Sequence, residues 1–213
     1  MHQNTVITIA RQFGSGGHEI GRRLANRLGI PLYDKELITH AAQESGLSEE
    51  ILHYFDEKPT NSLLYSLSTG AYSLNEGGVV NYSLPVNQQV FQAQFDTIRL
   101  LADKSSCVIV GRCADYVLEK HKGLISVFLY ADLNDRMARV AEYDGITLPE
   151  AKTRIAKSDK RRASYYNFYS GKKWGVAGTY DLCINTSTVG YDNAVELIAK
   201  FVEMKQEKDA QFQ

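Results

Sequence analysis

The sequence predicts an α/β protein, a three-layer α/β/α sandwich around a five-stranded parallel sheet with a helical lid. Three observations predict it. Five short, β-branched or apolar runs each lead into a segment of helical periodicity, the pattern that buries a parallel sheet between helices. A run of small residues, Gly14-Ser15-Gly16-Gly17, separates the first strand from the first helix. A strongly basic segment lies late in a chain that is nearly neutral overall.

The 213 residues suit one domain, and 44% hydrophobic with 23% charged residues is enough for a core. We read residues 1–213 as a single unit with an insertion at about 56–86 and a lid at about 149–175. The net charge of −1 argues against a nucleic-acid-binding protein. Cys107, Cys113 and Cys183 are scattered, which fits neither a disulfide framework nor a cysteine-rich zinc site. The opening MHQNTVITIARQF is not a signal peptide, and no apolar stretch approaches the ~20 residues of a membrane span, so a cytoplasmic address is expected. Nothing in the composition excludes a homo-oligomer.

The elements follow in order. Residues 5–10 (TVITIA) read as a buried strand, and 18–29 as a helix with Ile20, Leu24, Ala25 and Leu28 on one face and Gly29 as its stop. Residues 30–33 (IPLY) are a second strand; 35–44 and 48–55 are helices. Residues 56–85 are polar and aperiodic, an excursion from the core. Helical spacing returns over 87–104, then a third strand, 107–110 (CVIV), ends at Gly111-Arg112 before a short helix, 113–120. The fourth strand is 124–130; helices follow at 134–142 and 149–160, the second with Pro149 in its first turn. Residues 180–185 are the fifth strand and 189–205 the closing helix.

The glycine turn carries the first chemical signal. Consecutive backbone amides there can face one concavity, and the following helix adds partial positive charge, so an anion such as a phosphate is the natural guest. Against the P-loop pattern G-x-x-x-x-G-K-[ST], Arg11 stands at the first glycine, Gly17 at the lysine and His18 at the hydroxyl. Gly14, Ser15, Gly16, Gly17 and His18 are the candidate phosphate-binding residues. The competing G-x-G-x-x-G pattern begins at Gly14 but meets Glu19 at its third glycine, while Asp34 lies where a ribose-binding acid would sit, so a Rossmann-type NAD binder stays open.

The basic segment is the second signal. Residues 152–173 hold Lys152, Arg154, Lys157, Lys160, Arg161, Arg162, Lys172 and Lys173 against Asp159 alone. Phosphoryl transfer needs such charge on its equatorial oxygens, and arginine grips phosphate bidentately. Interleaved Tyr165, Tyr166, Phe168, Tyr169 and Trp174 could instead mark a single-strand nucleic-acid surface, but their helical spacing points to packing. Arg112, just past a buried strand, faces the crevice beyond the carboxyl ends of the sheet. Asp34 ends the second strand in the same row, as acceptor ligand or helix cap.

Four stretches together resemble the cytidylate kinase-like family of P-loop nucleoside monophosphate kinases: IARQFGSGGHEIGRRLANRLGIPLYDKELI, VIVGRCADYVL, DKRRASYYNFYSGKKWG and YDLCINTSTVG. The resemblance implies transfer of the γ-phosphoryl group of ATP to a nucleoside monophosphate, with Mg2+. It implies that Arg112 contacts the acceptor phosphate and that His40 stands where the family has an acceptor-binding arginine. Gly17 replaces the family's lysine, and Cys113 an aspartate, with Asp115 two residues on. On this reading Arg11, or a lid residue such as Lys160, replaces the lysine, Arg161 and Arg162 stabilise the transferring group, and small-molecule nucleotides are the partners. The missing lysine leaves a non-catalytic, regulatory nucleotide-binding protein as the alternative.

Overall fold

The computed structural model describes residues 4–43, 46 and 86–211. The predicted helix at 48–55 and the excursion at 56–85 lie outside them. Among the described residues the strands β1 (Val6–Arg11), β2 (Leu32–Tyr33), β3 (Cys107–Val110), β4 (Leu124–Tyr130) and β5 (Leu182–Asn185) form one parallel sheet in the order β2-β3-β1-β4-β5. A dinucleotide-binding sheet runs 3-2-1-4-5-6. Here β3 inserts between β1 and β2, and the Rossmann reading is set aside.

Alternation along β1 explains both faces of the sheet. Ile7 and Ile9 point to one side and meet Ile20 and Leu24 of α1 (Gly17–Leu28) and Ala194 and Ile198 of α7 (Thr186–Gln211). Val6 points to the other side, with Ile98 and Ala102 of α3 (Val86–Lys104) and Val117 of the single-turn α4 (Ala114–Val117). With Ile7, Ile9, Ile20, Ile98, Ile109, Ile125 and Ile198 all fully buried, each contributes about 1.5–3 kcal/mol of apolar transfer. The helix α2 (Lys35–Gln43) packs on α3.

The short helix is 114–117 instead of 113–120 and the fifth strand 182–185 instead of 180–185; three further differences have a local reason. The second strand is two residues, not four, because the Ile30 amide turns back to Ala25 O at 3.1 Å and Pro31 has no amide to donate; its carbonyl still accepts from Val108 N at 2.9 Å. The closing helix starts at Thr186 and breaks at Gly190 (φ 74°, ψ 174°). The helix predicted at 149–160 is longer. After α5 (Leu133–Asp144), one helix, α6 (Leu148–Ser170), runs ten residues past the predicted end. It opens on a Thr147/Glu150 capping box and stops only at Gly171, the first residue after it that adopts the left-handed conformation. Four of the five lid aromatics pack inward: Tyr165 and Tyr166 are buried, Tyr169 stacks on Phe91 at 3.8 Å and 8°, and Trp174 meets Phe128 edge-on at 5.3 Å. For those four the role is packing; Phe168 is half exposed, its edge against Tyr169 at 4.9 Å. Among the described residues no helix is long and apolar enough to cross a membrane.

Candidate active site

The glycine loop joins β1 to α1. Gly16, the helix N-cap, sits at φ 83° and offers no side-chain cap bond. Ser15 holds the loop from inside: its hydroxyl donates to Gln12 O (2.8 Å) and Leu129 O (3.2 Å), and its amide to Gln12 O (3.3 Å). The side chain is therefore spent on architecture, and the first amides of α1, like those of any helix, have no partner within the helix.

The loop is braced from behind. Thr186 Oγ1 donates to Ser15 O at 2.9 Å, and Arg139 Nη1 reaches Gly14 O at 3.3 Å. The break at Gly190 turns the ring of Tyr191 onto Gly16, where a Cβ would collide with it. Arg139 and Arg23 flank that ring at 5.1 and 5.8 Å.

Three guanidinium groups converge at the carboxyl ends of β1 and β3. Arg112 is 4% exposed. It follows Gly111 in a run of left-handed residues, Gly111, Arg112 and Cys113 at φ 86°, 59° and 55°. For the two non-glycines that conformation costs roughly 1–2 kcal/mol each, strain of the kind held at ligand sites. Burial, reinforced by the nearby Arg162 and Arg161 charges, pushes the Arg112 pKa down to about 10. Arg162, on α6, lies over the Phe13 ring at 5.5 Å and donates from Nη1 to Arg11 O at 3.2 Å. Arg11, Arg112 and Arg162 share a cavity of about 30 Å³ with Asp115, Tyr165 and Tyr166.

The remaining predicted residues separate. Arg161 is exposed on α6 but close enough to act on Arg112, whereas Lys160 is exposed and lines no part of that cavity. His18 Nδ1 lies 3.4 Å from Asp34 Oδ2, with the His18 side chain 63% exposed. Asp34 Oδ1 caps α2, accepting from Glu36 N at 3.0 Å and Leu37 N at 3.5 Å. His40 faces Gln43 on α2, its ring nitrogen 3.0 Å from Oε1.

Two carboxylates that the sequence reading named without a role sit at the candidate site. Asp159 ties the lid helix to the phosphate loop: it accepts from Phe13 N at 2.7 Å and from Arg136 Nη1 at 2.6 Å. Its signal was its solitude among the basic residues. Asp115 reaches the arginine cavity from α4 and accepts from Tyr166 Oη at 2.6 Å, with burial raising its carboxyl pKa. An acid raised in the folded state favours folding while protonated, and that contribution is lost as pH climbs above the ordinary value of 3.8 through the raised one. Asp115→Asn keeps an acceptor for Tyr166 without the charge. Scanning calorimetry is expected to show the variant melting above the wild type at neutral pH, with the gap closing towards pH 3.8; a constant gap would contradict this.

Comparison with known proteins gives the family and the fold. The sequence matches the cytidylate kinase-like family over residues 6–188. The chain belongs to that family. Among curated cytidylate kinase-like relatives, cytidylate kinase of Archaeoglobus fulgidus is 26% identical, covering 95% of this chain and 97% of its own. That of Thermococcus kodakarensis is 25% identical over 93% and 88%. A crystal structure of a protein from Eubacterium ventriosum superposes at a TM-score of 0.71 with 32% identity, over 94% of this chain and 99% of that one. Shikimate kinase of Bacteroides thetaiotaomicron superposes at 0.52 with 13% identity, over 93% and 98%, a likeness of fold. The parallel sheet of this family member is thus shared, as a fold, with that structure.

Proposed function

We propose that the protein transfers the γ-phosphoryl group of ATP to a nucleoside monophosphate. The observation that carries this reading is the convergence of Arg11, Arg112 and Arg162 beside the glycine loop. Such a transfer runs through a loose transition state with charge spread over the equatorial oxygens, so positioning and positive charge are the protein's whole contribution. The amides of Gly16, Gly17 and His18 hold the donor phosphates. Arg112, rigid at the end of β3, holds the acceptor phosphate, the one position in the crevice that a buried, strained arginine fixes in advance. Arg162, with Arg161 beside it, neutralises the group in flight.

Magnesium takes oxygen ligands and in kinases is held largely by the nucleotide's phosphates. Asp34, beside the first turn of α1, is the carboxylate that fits that role; the family's hydroxyl position carries the His18 imidazole instead. Bound there, the ion would offset phosphate charge. Asp159 and Arg162 dock α6 on residues 11–13, and the 30 Å³ cavity holds about one water. Nucleotide entry therefore requires the lid helix to withdraw, and reclosure excludes water from the transfer.

The second reading, a non-catalytic nucleotide-binding protein, draws on Gly17 and His18 standing where lysine and hydroxyl are expected. An ADP-release screen with MgATP across the nucleoside monophosphates separates the two. A saturable acceptor that raises ADP release is the expected result. Nucleotide binding by calorimetry with no ADP formed on any acceptor would select the second reading.

A further inference from the structure

We propose that Arg11 is the resident phosphate cation of this loop, entering from the opposite end of the motif, and that Gly17 is a glycine because the Arg11 side chain occupies its side-chain space. The inference rests on the nucleotide reading above and deepens it: it chooses between Arg11 and Lys160.

The geometry points one way. A Cβ on Gly17 would lie 2.6 Å from Cγ and 2.8 Å from Cβ of Arg11. Those are the root of the arginine side chain, which cannot swing aside as a tip can. The stem therefore runs across the first turn of α1, over the residue that would carry the lysine. Its head ends against Gly111, where a Cβ would overlap Arg11 Nη1. The guanidinium is thus set between the helix start and the end of β3, one residue from Arg112, and it lines the arginine cavity. Its backbone is fixed at both sides: Arg11 pairs with Leu129 in the sheet, and its carbonyl accepts from Arg162.

The usual pattern has a small residue first and a cation seventh; here the cation is first and the small residue seventh. The two side chains would compete for one volume, so the site accepts one long cationic stem, from either position. The exchange is reciprocal, not a loss. Lys160 is exposed on α6 and does not line the cavity.

The test has two arms. The first uses MgATP, without acceptor, in calorimetry on the full chain. Arg11→Gly is expected to bind about ten- to a hundredfold more weakly, the worth of one charged hydrogen-bonding group. Gly17→Lys alone also weakens binding, because two stems meet. The double variant, Arg11→Gly with Gly17→Lys, binds more tightly than either single one. Arg11→Gly binding as tightly as the wild type, or a double variant no better than both singles, overturns the assignment. Wild-type protein that gives no binding with MgATP overturns the nucleotide reading itself and takes the cation with it. The second arm needs no nucleotide. Gly17→Ala lowers the melting temperature in the wild type but not in the Arg11→Gly background, where alanine favours the helix. Equal lowering in both backgrounds refutes the shared volume.

Discussion

Arg112→Met is expected to lower phosphoryl transfer by about 10³-fold or more without lowering the melting temperature. The two halves have one cause. Arg112 is buried to 4% exposure, with its pKa pushed down by that burial and by Arg162 and Arg161. A charge held against its own solvation is a cost to folding, and an unbranched apolar side chain of similar length removes it. The left-handed backbone at φ 59° is no worse for methionine than for arginine, since neither is glycine. On the proposed function, what is lost is the grip on phosphate, for which a thioether has no donor. An arginine serving only as architecture would give the reverse: melting temperature and activity would fall together. Paired calorimetry and a coupled ADP assay on the same preparation decide it, and full activity in Arg112→Met would remove the residue from the mechanism.

Asp159→Ala is expected to destabilise the protein by about 3–5 kcal/mol, a fall of roughly 10 °C in melting temperature for a domain of this size. The Arg136–Asp159 pair is close to buried, at 10% and 18% side-chain exposure, and 2.6 Å long. Asp159 also accepts from Phe13 N, and Arg136 Nη1 reaches Phe13 O at 3.4 Å. Truncating the aspartate strands a buried guanidinium and a loop amide together. Replacing both partners by apolar residues, Arg136→Met with Asp159→Leu, should recover most of the stability, since the penalty lies in the orphaned charge. It should not recover lid docking, because the phosphate-loop amide still lacks its carboxylate. Hydrogen exchange of the Phe13 amide reads that separately. A loss under about 1 kcal/mol in Asp159→Ala would mean that the pair is solvated and the latch is weak.

Much of this was legible along the chain. The buried run VITIAR, its alternation between two cores, the glycine turn and the basic segment are local patterns, and local patterns survive in sequence. The strand boundaries shifted where a neighbour decided them. Ile30 looked like strand and instead closes α1, because an edge strand has only one partner to hold it. The predicted helix at 149–160 stops short because charge and aromatic spacing say nothing of how far a helix continues without a breaker. Its length was decided at Gly171.

The site divides in the same way. Arg11, Arg112 and Arg162 were picked by charge and position, and their convergence came from the sheet, which places residues 11 and 112 at adjacent strand ends and lays α6 across both. Asp115 and Asp159 lie within resembling stretches but without an assigned role, and Arg139 and Tyr191 lie outside them; only packing shows what each touches. The sequence by itself determined which elements form, where the glycine loop lies and that positive charge gathers late in the chain, since each depends on neighbours within a few residues. Tertiary structure alone decided that Arg11 fills the volume above Gly17, that Tyr191 seals Gly16 and that Asp159 latches the lid. Those are contacts between residues far apart along the chain, set by the sheet's order and by steric exclusion in space.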